Sequence, residues 1–233
     1  MSADFGAMSL WRSANIVILG DSFVSRLQSD LHQAYLKDAR SEDQSLHELS
    51  WDLLKAPKEA RFIYCHGVPG SGCTEKAAKV FQLPEALLLG CNPKYAIMEI
   101  GGNDVDSLAT PEEIARAKVG LAENLIEFYD VRAVALATIL PRDTVRSMSP
   151  QEFRQKAVET NRLTEELVGD HPNITFHRHK GFWRTEGGQA TDTSAWSADG
   201  VHANTPAGAA KYKKALTMIM HNMIKTYHNS QQN

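Results

Sequence analysis

The sequence predicts an α/β fold, with one parallel β-sheet and helices on both of its faces. Two observations carry this. Strand-like apolar runs alternate with helix-like amphipathic stripes along the chain, the pattern of successive βαβ units. The runs also lack polar alternation, as in Asn15–Leu19 (NIVIL), which suits strands covered on both faces. The chain has 233 residues, 42% hydrophobic and 23% charged, a size and composition that fit one α/β domain. Such a length buries a sizeable core without disulfides or metals.

The elements follow in order. Asn15–Leu19 is the first strand, and Val24, Leu27, Leu31 and Tyr35 form the inner stripe of the first helix at spacings of three and four. Residues 38–60 are polar and resist assignment. Arg61–Cys65 is the second strand and leads into a glycine-rich loop, Gly67 to Cys73, after which Thr74 is placed to cap a short helix. Tyr95–Ile100 is the third strand and ends in Gly101-Gly102-Asn103-Asp104. Thr110-Pro111-Glu112-Glu113 and Ser149-Pro150-Gln151-Glu152 both read as capping boxes with proline at the first helical position. The first opens a helix whose inner stripe is Ile114, Leu121, Leu125 and Phe128. The second runs to about Val168, with Gly169 to close it. Val131–Ile139 and Asn173–Phe176 are the fourth and fifth strands, and Thr205-Pro206 starts a last helix with Tyr212, Ile219 and Met223 inward. Residues 1–14 read as a loose leader, 15–228 as the domain and 229–233 as a polar tail. Alternating units of this kind predict the strand order 2-1-3-4-5.

Several function classes are excluded or disfavoured. A net charge of −3 gives no global pull toward nucleic acid or an anionic membrane. Lys211, Lys213, Lys214 and Lys225 read as a solvated helix face, so no nucleic-acid partner is expected. Cys65, Cys73 and Cys91 are too few and too irregular for a disulfide framework, and a reducing compartment is the simpler setting. With no signal-peptide core and no apolar run of membrane-spanning length, a cytoplasmic protein is expected. His171, His177 and His179 lack a carboxylate partner at a recognised spacing, so no metal and no cofactor is expected.

Ligands of an open parallel sheet bind beyond the carboxyl ends of its strands. Three clusters sit just after the first three strands: Gly20-Asp21-Ser22, the loop around Gly72, and Gly101 to Asp104. Topology makes them one candidate site. Ser22, in the turn from strand to helix, either caps the helix or presents a nucleophile at its N-terminus. A serine nucleophile needs a base, and that base needs a carboxylate to fix its tautomer. Asp199-Gly200-Val201-His202 supplies both, provided the segment turns at Gly200. Oxyanion donors would come from the N–H of Ser22, a glycine N–H of Gly70-Ser71-Gly72 and the side-chain amide of Asn103. Asn103 has a plainer role as a turn former after the third strand.

Gly20-Asp21-Ser22, the Gly72 loop, Gly101-x-Asn103-Asp104 and Asp199-x-x-His202 resemble, in order and spacing, the four blocks of the SGNH (GDSL-like) hydrolase superfamily. The segment from His177 to His202 also resembles a divergent group of animal SGNH proteins, some encoded by retroelements. The superfamily resemblance implies a three-layer α/β/α, flavodoxin-like fold. It implies Ser22 as nucleophile, His202 as base and Asp199 as its orienter. The oxyanion donors it implies are Ser22 N–H, Gly72 N–H and Asn103, with Asp21 and Asp104 in support. Gly72 is preferred to Gly70 because Thr74 then falls where the family often has a small polar residue. The implied activity is hydrolysis of a small-molecule carboxylic ester, short acyl groups such as acetyl being favoured because no long apolar lid segment is visible. The alternatives are a catalytically idle binding module of the same fold, or an accessory esterase of a mobile element acting on lipid. Cys73 reads as a packed cysteine. Trp183 and Trp196 either line a substrate pocket or pack.

Overall fold

The uninterrupted apolar run at residues 16–19 lies within a five-stranded sheet and is wholly buried. The structure, a computed structural model, describes residues 16–38, 54–57, 62–183, 196–203 and 205–231, the side chains of 35–38 excepted. The expected leader, Asn15, the stripe position of Tyr35, the start of the second strand at Arg61 and the last two tail residues lie outside the described residues. So do 39–53 and 58–60 of the unassigned stretch.

In chain order the elements are β1 (Ile16–Gly20), α1 (Ser22–Asp38), β2 (Ile63–Gly67), β3 (Ser71–Gly72), β4 (Lys79–Val80), α2 (Glu85–Cys91), β5 (Tyr95–Glu99), α3 (Gly102–Val105), α4 (Pro111–Tyr129), β6 (Ala133–Ala137), α5 (Pro150–Val168), β7 (Ile174–His177) and α6 (Pro206–Ser230). The central sheet has the order β2-β1-β5-β6-β7, with every pairing parallel. Counting only its five strands, this is 2-1-3-4-5, as the alternating units predict. The two-residue strands β3 and β4 form a separate parallel pair.

Successive strand residues point to opposite faces, and both faces are covered. Ile16, Ile18, Ile97 and Ala135 pack with Val24, Leu27 and Leu31 of α1 and with Leu216, Ile219 and Met223 of α6. Val17, Leu19, Met98 and Leu136 pack with Leu87 and Leu88 of α2 and with Ala122 and Leu125 of α4. Both capping boxes form as expected, Thr110 and Ser149 each accepting the N–H of the glutamate three residues on. Each such cap is worth about 1 kcal/mol. Gly169 follows α5 at a positive φ of 45°.

Two expectations are corrected. Thr74 caps no helix: residues 73–78 form turns, and its hydroxyl and N–H both donate to Asp104. Phe128 is 64% exposed, because the inner stripe of α4 runs instead through Lys118, Val119 and Ala122. The last helix, α6, continues through Ser230, into the stretch read as a polar tail. Among the described residues, no helix is long and apolar enough to cross a membrane.

The close approach of α1 to β2 depends on Gly67. A Cβ there would lie 2.0 Å from the backbone nitrogen of Ser25. Gly67→Ala is therefore expected to destabilise the protein by at least about 1–3 kcal/mol, the usual cost of overpacking a close-packed contact. Denaturant titration reads this directly. A variant as stable as wild type would show that the two elements separate freely.

Candidate active site

β1 delivers its last residue, Gly20, and then Asp21 and Ser22 to the carboxyl edge of the sheet. Asp21, not Ser22, caps α1. Its Oδ1 accepts the Phe23 N–H at 3.0 Å and its carbonyl accepts the Ser25 N–H at 3.1 Å. Ser22 is thus the first helical residue, and its side chain is free of the capping role. Its Oγ lies 2.7 Å from His202 Nε2, across 180 residues of sequence. His202 Nδ1 lies 2.8 Å from Asp199 Oδ2. Asp199 can only accept at this contact, so the neutral ring carries its proton on Nδ1 and leaves the Nε2 lone pair to the Ser22 hydroxyl.

The turn that brings Asp199 back to His202 passes through Gly200, which takes a φ of +64°. The other oxygen of Asp199 accepts from Ser197 Oγ at 2.5 Å and from the N–H groups of Val201 and His202 at 2.9 Å each. Partial burial works against the ionised carboxyl, but these hydrogen bonds outweigh it and hold Asp199 well below the usual carboxylate range. Arg26 Nη2 shares Asp199 Oδ2 with the imidazole, at 3.1 Å. Burial depresses the basicity of His202 most. The hydrogen bond to Asp199 opposes this, and the positive charges of Arg26 and Arg142 reinforce it, so the net shift is downward.

Asn103 stands at the start of α3, where the chain leaves β5. Its Nδ2 donates to the carbonyl of Ser71 at 2.8 Å and approaches Asp21 Oδ2 at 3.4 Å, while its Oδ1 accepts from Arg142 Nη1 at 3.2 Å. This contact joins the third-strand loop to the Ser71–Gly72 peptide. The fully buried carboxylate of Asp104 ties the same two loops together. It accepts from the N–H groups of Cys73 and Thr74 at 2.8 Å and from Thr74 Oγ1 at 2.7 Å. Burial pushes the Asp21 carboxyl up to about 6, against the Arg142 guanidinium, which holds it down.

The structure thus brings Asp21, Ser22, Gly72, Asn103, Asp104, Asp199 and His202 to one edge of the sheet. The sequence reading missed Arg26, Arg142 and Ser197. Arg142 follows β6 at that same carboxyl edge, so the topological rule applied to the fourth central strand would have found it. Other candidates are placed elsewhere. Cys73 is packed, its Sγ 3.4 Å from Asp104, and burial pushes its thiol well up. Trp196 is buried against Phe23 and Phe182. Trp183 donates to the Ile139 carbonyl and lines a cavity of about 500 Å³ beside α5.

The three histidines do not converge. His171 Nδ1 accepts from the N–H groups of Asn173 and Ile174, His177 pairs with Thr175, and His179 is buried between Glu99 and Thr138.

Solved structures share the fold at low identity. A protein from Streptococcus pneumonia is 16% identical, with 92% of this chain and 91% of that one covered, at a TM-score of 0.58. A GDSL-like lipase from Bacteroides thetaiotaomicron is 14% identical, with 89% and 87% covered, at 0.56. Est24, a carbohydrate acetylesterase from Sinorhizobium meliloti, is 15% identical, with 89% and 98% covered, at 0.56. Identities this low speak for the fold alone. No curated protein matches the chain significantly. The model of the GDSL-like lipase/acylhydrolase family matches residues 18–210, a span that takes in both Ser22 and His202, and the chain belongs to that family.

Proposed function

We propose that the protein is a serine esterase that cleaves short-acyl carboxylic esters through an acyl-serine intermediate. The observation that carries this reading is the continuous hydrogen-bonded chain Ser22–His202–Asp199. In the first step Ser22 Oγ attacks the ester carbonyl carbon while His202 Nε2 takes the hydroxyl proton. The tetrahedral intermediate expels the alkoxide, which leaves as an alcohol with that proton. Water, deprotonated by His202, then attacks the acyl-serine, and the proton returns to Ser22 as the carboxylic acid departs. Asp199 keeps the imidazole in the required tautomer and stabilises its cation. The N–H groups of Ser22 and Gly72 and the amide of Asn103 are assigned to the oxyanion. Asp21 and Asp104 support this arrangement, one capping α1 behind the nucleophile and the other tying the Gly72 loop to α3.

The short acyl group rests on the sequence, which shows no long apolar lid segment that would shelter a fatty chain.

The test is a series of p-nitrophenyl esters from acetyl to palmitoyl, with Ser22→Ala as control. We expect the acetyl ester to give the highest kcat/KM. It should fall about tenfold or more once the acyl chain outgrows its space, since overfilling costs about 1–3 kcal/mol. Equal turnover by Ser22→Ala would remove Ser22 as the nucleophile, and no turnover of any ester would leave only a binding module. A preference for palmitoyl would overturn the acyl assignment.

The pH profile has a defined sign. His202 must be neutral to accept the serine proton, so kcat/KM falls as pH drops through the pKa of His202. That limb is expected below the ordinary histidine value of about 6.5, as the net downward shift requires. Arg26→Gln removes one of the charges that depress it, so its limb should move up. A limb that stays in place or moves down in this variant would show that Arg26 does not depress His202.

A further inference from the structure

The Asn103 amide is held by groups that admit one orientation. The Ser71 carbonyl and the Asp21 carboxylate accept on its Nδ2 side, and the Arg142 guanidinium, which can only donate, faces Oδ1. A flipped amide would set its NH₂ against the guanidinium and its oxygen against two acceptors. Arg142 is 4% exposed, stands with its guanidinium carbon 5.5 Å from the centre of the Phe153 ring, and has Nη2 3.8 Å from Asp21 Oδ2. Its Nε has no hydrogen-bond partner among the described residues. A buried guanidinium with one donor unmatched is costly, and apolar packing would fill the same space more cheaply. Stability therefore does not account for it, whereas its placement toward Asn103 does.

We propose that Arg142 is a positioning residue that acts through Asn103. By donating to Oδ1 it fixes the amide so that an N–H faces the developing oxyanion. It also withdraws charge from the amide, which strengthens that N–H as a donor. This deepens the esterase reading and rests on it. The rival explanation is that Arg142 serves only to neutralise Asp21, in which case its effect would not depend on Asn103.

A double-mutant cycle separates the two. Arg142→Met is expected to lower kcat about 10- to 100-fold with KM within about twofold, the scale of a misplaced catalytic group. Arg142→Lys, which keeps the charge, should recover part of the loss. In an Asn103→Ala background the same Arg142→Met change should cost less than about threefold. Equal costs in both backgrounds would overturn the proposal. So would failure of both Arg142 variants to fold, since that would mark a purely structural residue.

One readout does not depend on turnover. The side-chain NH₂ pair of Asn103 in a ¹H–¹⁵N spectrum, assigned by its loss in Asn103→Ala, should shift in Arg142→Met and move partway back in Arg142→Lys. An unmoved pair would overturn the proposal even in an active enzyme. An inactive wild type would instead sink the esterase reading, while this spectrum would still decide whether Arg142 positions the amide.

Discussion

His202→Ala is expected to lower kcat on the acetyl ester by about 10⁴- to 10⁶-fold while leaving the fold intact. His202 lies at the surface end of the site, where its ring contacts Phe23 and its two nitrogens face Ser22 and Asp199. On the proposed mechanism, removing it leaves no base for the serine proton. Two such groups act as a unit, so Ser22→Ala/His202→Ala should be no slower than either single variant, within about threefold. The measurement is kcat for the three variants at saturating substrate, with melting curves for each. Multiplicative losses in the double variant would mean that Ser22 and His202 contribute independently. That would separate the nucleophile from the base.

Asn103→Ala is expected to cost about 100- to 1,000-fold in kcat, or roughly 2.7–4 kcal/mol of transition-state stabilisation. The KM should change little, because the ground-state carbonyl makes less use of the donor. In the free protein Nδ2 is engaged by the Ser71 carbonyl at 2.8 Å and only loosely by Asp21 at 3.4 Å. The variant also frees Arg142 Nη1 and the Ser71 carbonyl, so some loss of stability accompanies the loss of rate. Both kcat and KM on one activated ester, with melting curves, separate the two effects. A folded variant with more than about a third of wild-type kcat lies far outside the range for a lost oxyanion donor and would remove Asn103 from the mechanism.

Features set by near neighbours were legible in the amino-acid sequence. The buried run Ile16–Leu19 reads as a two-faced strand because no polar residue interrupts it. Thr110 and Ser149 read as caps because each partner glutamate stands three residues away. The turn at Gly200 was legible for the same reason, since one glycine supplies the positive φ. Ser22 and His202, separated by 180 residues, have no local signal in common. What pointed to their meeting was the order of the four blocks and the rule that parallel strands deliver their carboxyl ends to one edge.

Only the tertiary structure decided which polar groups are buried and what satisfies them. Lys118 lies wholly buried on α4, its Nζ donating to the Ala137 carbonyl at 2.9 Å, where the stripe pattern calls for an apolar residue. Thr74 gives its hydroxyl to Asp104, 30 residues away, instead of to a helix end. Arg142, outside every block, reaches Asn103 across 39 residues. Helical and strand periods describe which way a side chain points relative to its own element. They carry no information on the donor or acceptor that another element places opposite it. Yet a buried polar group is stable only when such a partner is present.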